Sequence, residues 1–180
     1  MEDSDILTLF REGERDRAFN LLVRKYSERL YWQIRNMVQV HEDADDVLQN
    51  TWIKVWDALD TFRGDSQLYT WLYRIATNES VTFLKRARLK AALSLTGYER
   101  VLSNRLAADD YFSGDKVQLA LQKAIATLPP KQKAVFTLRY FQELPYEEIS
   151  EILETPVGSL KTSYHYAAGK VEAEVKKMLD

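Results

Sequence analysis

Between Arg15 and Val38 the apolar residues Phe19, Leu22, Val23, Tyr26, Leu30, Ile34, Met37 and Val38 return every three or four positions. That spacing lays them along one stripe of an α-helix. A second stripe follows at Ala44, Val47, Leu48, Thr51, Trp52, Val55, Trp56 and Leu59. Asp43 is placed to cap it, and Asp45 and Asp46 suit the positive end of its dipole. Asp60–Ser66, with Gly64 and short polar residues, interrupts the pattern as a loop. A third helix is predicted from about Gln67 to Arg88, with Leu68, Leu72, Ile75, Ala76 and Leu84 inward. No strand-type alternation occurs in this half. Six Gly and four Pro in 180 residues are too few for a turn-rich sandwich, so the expectation is an all-α chain.

From about Leu89 to Gly114 the periodicity fades, and small residues cluster at Ala91-Ala92, Ser103-Asn104 and Ser113-Gly114. This reads as a flexible linker with a helical turn or two around Tyr98–Leu106. The expected division is a domain over 1–90, a linker over 91–115 and a second domain over 116–180, each of a size that suits a small helical bundle. The second domain begins with Leu119, Leu121, Ile125 and Leu128 and is stopped by Pro129-Pro130. A helix carrying Ala134, Val135, Leu138 and Phe141 follows. Pro145 then opens a short helix with Ile149, Ile152 and Leu153. Thr155-Pro156-Val157-Gly158 breaks the chain again, with Ser159 as cap of a final helix to about Leu179. Two helices joined by so short a turn form a helix-turn-helix pattern.

The composition removes several classes of function. There are no Cys, which excludes disulfides, thiolate metal sites and a cysteine nucleophile. The two His, His41 and His165, belong to different predicted domains and make no metal set. Asp45 and Asp46 are neighbours on a helix and cannot face each other as an acid and base. No enzyme, cofactor or metal is therefore expected. The opening Met-Glu-Asp-Ser-Asp has no basic or apolar leader, and no stretch approaches the roughly 20 apolar residues that span a bilayer, so a cytoplasmic protein is expected. The net charge of −2 conceals segregation. Acids gather at Glu42, Asp43, Asp45 and Asp46 and again at Glu143–Glu154, while Lys85, Arg86, Arg88 and Lys90 form a basic run. Several partner surfaces of different sign would produce this, and so would ordinary solvated helix faces.

Two segments carry nucleic-acid chemistry. In a helix-turn-helix the second helix enters the major groove and its first turns reach base edges. Ser159, Lys161, Thr162, Ser163, His165 and Tyr166 supply donors and acceptors there, Leu160 and Tyr164 have the spacing to face inward, and Arg139 and Tyr140 could contact phosphate. An ordinary helical hairpin with a polar face has the same period. The second segment joins Phe62–Ser66 to Tyr69–Asn78, concentrating aromatics, Arg and amides around one loop. Aromatic faces stack unpaired bases at about 1–3 kcal/mol each, and Lys85, Arg86 and Arg88 could hold backbone phosphates. Trp71 and Tyr73 flank Leu72, so at least one of the two is expected in the core.

Asp43–Trp52, Phe62–Ser66, Thr70–Ala76 and Leu128–Gln132 before the helix-turn-helix resemble, in order, the extracytoplasmic-function group of bacterial sigma factors. The likeness covers about residues 5–88 and 116–178. It implies a promoter-specificity subunit of RNA polymerase with an N-terminal σ2 bundle and a C-terminal σ4 helix-turn-helix domain. Asp43, Asp46, Gln49 and Asn50 match the face that docks on the clamp of the β′ subunit. The loop Phe62, Arg63, Gly64, Asp65 and Ser66, with Ala58, Trp71, Tyr73 and Asn78, matches the pocket that captures a flipped base of the −10 element. The recognition helix matches the reader of the −35 element, and σ4 also docks on the β flap. Promoter DNA, core polymerase and an anti-sigma protein are the implied partners. The family's final helix is usually Arg-rich where this chain has Ser163, Tyr166 and Ala168. A known promoter sequence is therefore not transferable, and the salt dependence should be shallow. A stand-alone helix-turn-helix regulator would explain residues 116–178 but leaves Asp43–Asn78 without a task. A helical adaptor would use the Trp52/Trp56 face alone.

Overall fold

The computed structural model describes residues 1–93 and 97–180, and of Ser113 the backbone alone. Part of the expected linker, residues 94–96, lies outside that range. The described residues form ten α-helices and a 3-10 turn, with no strand among them. Four helices make the first bundle: α1 (Asp3–Arg11), α2 (Arg15–Val38), α3 (His41–Ala58) and α4 (Leu68–Ala92). Along α2 the buried residues Ala18, Leu22, Tyr26, Leu30 and Ile34 repeat every fourth position, so a single stripe seats the helix against its neighbours. Gly13, at φ +89°, provides the turn between α1 and α2, where a side chain would be strained.

Several boundaries differ from expectation. Helix α1 was not anticipated; its capping box, closed by Glu2 and Asp5, and a buried Ile6 fix it against α2. Helix α3 starts at His41 with Val40 at its cap position, so Asp43 lies in the first turn instead of capping it. Within the expected linker, α4 runs on to Ala92, and α5 (Tyr98–Ala107) and α6 (Asp110–Ser113) follow. Leu102, Leu106 and Phe112 bury themselves against Val40 and Ala126. The described part of this segment is therefore packed helix.

The second bundle comprises α7 (Lys116–Ala126), α8 (Pro130–Tyr140), α9 (Tyr146–Leu153) and α10 (Val157–Leu179). Pro130 takes the first helical position of α8, where its missing N–H costs nothing. Helix α10 begins at Val157, two residues before the expected cap Ser159. The two bundles touch: α8 packs on α2 and α4, α9 on α4, and α5 on α7. One apolar cluster runs through both, from Leu22, Leu30 and Leu72 to Ala134, Leu138, Ile149 and Leu160.

Candidate nucleic-acid interface

The turn between α9 and α10 is built from unusual backbone. Glu154 adopts the left-handed conformation, with φ +51°. The Ser150 hydroxyl donates to the Thr155 carbonyl at 2.6 Å and the Thr155 hydroxyl to the Leu153 carbonyl at 2.9 Å. These bonds satisfy the orphan groups of the α9 end and aim α10 away from it. Leu160 is buried, and the Tyr164 ring stacks on Phe136 at 5.8 Å and meets Tyr146 edge-on at 6.3 Å. The inward pair expected from spacing is therefore inward. Lys161, Thr162, His165 and Tyr166 are exposed, at i, i+1, i+4 and i+5 along a single stripe. Tyr166 is 66% exposed. Ser159 is exposed and Ser163 half-buried; both line a cavity of about 300 Å³ whose opposite wall includes Asn78 and Val81 of α4.

Arg139 and Tyr140 differ in availability. Arg139 donates to the Leu144 carbonyl at 3.0 Å and lies 4.8 Å over the Tyr146 ring, so it fastens the α8–α9 loop. Tyr140 is half exposed and stacked on Phe136.

On the first bundle, a 3-10 turn over Leu59–Thr61 leads into the aromatic loop. The Phe62 ring sits 5.2 Å from that of Trp71, tilted by 49°. Gly64, at φ +81°, turns the chain between exposed Arg63 and Asp65. Ala58 and Ser66 are half-buried; Asn78 is exposed but lies about two turns beyond Trp71 on α4 and lines the cavity shared with Ser159 and Ser163, so it is not brought to the aromatic pair. Tyr73 is not brought to it either. It is fully buried, and its hydroxyl donates to Gln142 at 2.9 Å across the boundary between bundles. Of Trp71 and Tyr73, Tyr73 is the core residue. Lys85 and Arg86 are exposed on α4, whereas Arg88 donates to the Leu128 carbonyl at 2.6 Å and is not free for phosphate here.

The acidic face of α3 is partly covered. Asp46, Gln49 and Asn50 are exposed in one patch. Asp43 is half-buried, and Arg105 of α5 bridges it at 3.9 Å and Glu42 at 3.5 Å. Burial raises the Asp43 carboxyl above its ordinary value; Arg105 opposes this, and Asp46 and Glu42 reinforce it. Between the bundles lies Lys133 of α8, fully enclosed, with its ammonium 3.3 Å from the Met37 carbonyl and 3.4 Å from Gln39 Oε1. Burial, with the Arg88 charge adding to it and Glu99 opposing, brings its pKa down from 10.5 to about 7. Neither Arg105 nor Lys133 carries a sequence signal of its role, since both types ordinarily sit in solvent.

Comparison with known proteins places these surfaces in context. Residues 22–90 match the family description Sigma-70 region 2, and residues 118–170 match Sigma-70, region 4. The RNA polymerase sigma-H factor of Pseudomonas aeruginosa is 30% identical over 186 residues, spanning 99% of this chain and 96% of that one. The ECF RNA polymerase sigma factor SigW of Bacillus subtilis is 30% identical over 163 residues, 86% of this chain and 87% of its own. In fold, the chain is similar to the sigma factor RpoE of Bartonella quintana, solved with the anti-sigma factor NepR. The TM-score is 0.69 at 20% identity, over 88% of this chain and 96% of that one.

Proposed function

The chain belongs to the extracytoplasmic-function group of sigma-70 factors, and from that membership we propose how its surfaces divide the work of starting transcription. It binds core RNA polymerase, recognises the −35 and −10 promoter elements and promotes melting between them. We assign residues 1–90 to the σ2 role, 91–115 to the connection and 116–180 to the σ4 role. Asp43, Asp46, Gln49 and Asn50 dock on the β′ clamp, a basic partner for an acidic patch. The loop Phe62–Ser66, with Ala58 and Trp71, receives a base flipped from the −10 element, and Lys85 and Arg86 hold the flanking phosphates. Base capture costs a few kcal/mol of unstacking, which the Phe62–Trp71 pair can return by stacking. Melting then needs no nucleotide hydrolysis. The stripe Ser159, Lys161, Thr162, Ser163, His165 and Tyr166 reads the −35 element, with Tyr140 beside it. An anti-sigma protein controls the chain, as NepR is bound to RpoE.

The observation that carries this reading is the succession on one chain of the two sigma-70 region matches, each holding an exposed polar surface suited to a different partner. Run-off transcription from a genomic fragment library, with core polymerase alone and with this protein added, tests it. New start sites are expected only when the protein is present; their absence overturns the assignment. Tight, salt-resistant binding to specific duplex without polymerase would instead favour a stand-alone regulator.

A further inference from the structure

The loop assigned to base capture has little of its own to hold it. Among the described residues, no hydrogen bond or ion pair ties Arg63, Gly64, Asp65 or Ser66 to the rest of the chain. Its posture is therefore inherited from the segment that delivers it, the last turn of α3 and the 3-10 turn Leu59–Thr61. Leu59 is buried, the Phe62 N–H donates to the Leu59 carbonyl at 3.3 Å, and the Thr61 hydroxyl donates to the Ala58 carbonyl at 2.6 Å. Those bonds are local. Among the described residues, the hydrogen bonds that tie this segment to another helix come from Arg15, the first residue of α2.

Arg15 grips the segment with both arms of its guanidinium. Nη1 donates to Asp60 in the 3-10 turn at 2.8 Å, and Nη2 donates to the Trp56 carbonyl at 2.5 Å. The group lies 4.3 Å over the Trp56 ring, which meets Phe19 of α2 edge-on at 5.0 Å. The Trp56 carbonyl belongs to the last turn of α3, where carbonyls run out of intrahelical donors, and that turn has no basic residue of its own. A cation brought from α2 thus serves the negative end of the α3 dipole. Arg15 Nε is buried without a partner, a desolvation cost that an arginine free in solvent would not carry. The planar fork that reaches two acceptors at once is also one that a lysine cannot reproduce.

We propose that Arg15 is a positioning residue for base capture, its fork setting the angle at which Phe62 and the loop behind it meet the −10 element. The proposal rests on the functional reading above. Arg15 has no contact with DNA in this role. It acts through Asp60 and Trp56, by removing postures that a loop without bonds of its own would otherwise sample before each capture. Preorganisation of this kind sharpens selectivity, because a pocket that keeps one geometry cannot adapt to a wrong base. With the grip released, the preference for the correct base falls.

The test uses the full-length protein on core polymerase. The probes are single-stranded oligonucleotides carrying the −10 element of a promoter recovered by run-off, with each base placed in turn at each position. Wild type is expected to discriminate most strongly at one position. R15A should shrink that preference by about fivefold while core binding and helix content by circular dichroism stay unchanged. R15K, with the charge but not the fork, and D60N, which leaves Arg15 its hold on Trp56, should each shrink it by less; they carry the same expectation if R15A does not fold. In F62A, whose loop has lost its stacking ring, R15A should change oligonucleotide affinity by less than about twofold, since the two residues act through one device. An unchanged preference in the folded Arg15 and Asp60 variants overturns the proposal. So does an equal effect of R15A with and without Phe62, which marks a merely structural role. A wild type without preference at any position, or F62A as selective as wild type, removes the base-capture reading itself and the proposal with it.

Discussion

Lys133 sits where a charge is costly. Its ammonium reaches two neutral acceptors from the α2 end, the Met37 carbonyl and Gln39, while Arg88 of α4 repels it and Glu99 of α5 attracts it weakly. The Tyr98 ring, 5.9 Å away, has its own hydroxyl pushed up to about 12 and stays neutral throughout the relevant range. With a folded pKa of about 7 against 10.5 when solvated, the unfolded chain holds a proton that the folded chain lacks between those two values. Stability of the folded chain therefore rises with pH from about 7 toward 10.5, and below 7 the full penalty of a buried cation is present. K133M should flatten this dependence and add about 1–3 kcal/mol at pH 6.5, since an apolar replacement of a poorly compensated buried charge is often stabilising. Thermal melts of wild type and variant from pH 6 to 9.5 check it; parallel curves would contradict it.

At the scale of elements, the turn of the helix-turn-helix gives the sharpest expectation. A non-Gly residue in the left-handed region is strained by roughly 1–2 kcal/mol, and Glu154 accepts that strain. E154G should raise stability by about 0.5–1 kcal/mol, because the loss of its exposed pair with Arg74 is worth little. A urea titration showing a lower midpoint would refute it. The helices themselves were legible where apolar periodicity was long. Arg15–Val38 was predicted at the observed boundaries because its every-fourth stripe has a single solution. Shorter signals misled at helix starts: Asp43 and Ser159 are good cap types, yet packing starts α3 and α10 two residues earlier, at His41 and Val157. Helix α1 escapes the sequence reading because Ile6, Leu7, Leu9 and Phe10 span barely a turn and a half of a nine-residue helix, too short a run for periodicity to stand out. The linker reads as loose in sequence because Leu102, Leu106 and Phe112 acquire meaning only against Ala126 and the far more distant Val40. Likewise, the stripe around Leu160 and Tyr164 could be read locally, but the capture of Arg88 and Arg139 by backbone carbonyls depends on tertiary neighbours.

For the molecule as a whole, charge predicts weak autonomous binding to DNA. The net charge is −2, and Lys161 is the one Lys or Arg in the exposed reading stripe. A slope near −0.9 per neutralised phosphate gives log K against log salt of about −1 for the isolated protein on duplex. Fluorescence anisotropy between 50 and 300 mM salt checks this, and a slope steeper than about −4 would mean that basic residues outside the stripe carry the contact. Affinity then comes largely from tethering to polymerase, which raises the effective concentration of each reader at its element.

The contact between the two bundles joins residues far apart along the chain: Gln33 meets Thr137, 104 positions away, and Gln39 meets Gln122, 83 away. During synthesis at about 5–20 residues per second, the first four helices leave the ribosome several seconds before α8 and α9 exist. Each nascent copy thus passes through an interval in which the sides of α2 and α4 that meet α8 and α9 are bare, before the later half arrives to cover them. A cell making this protein rapidly would hold a standing population of freshly made, uncovered copies in proportion to the rate of translation.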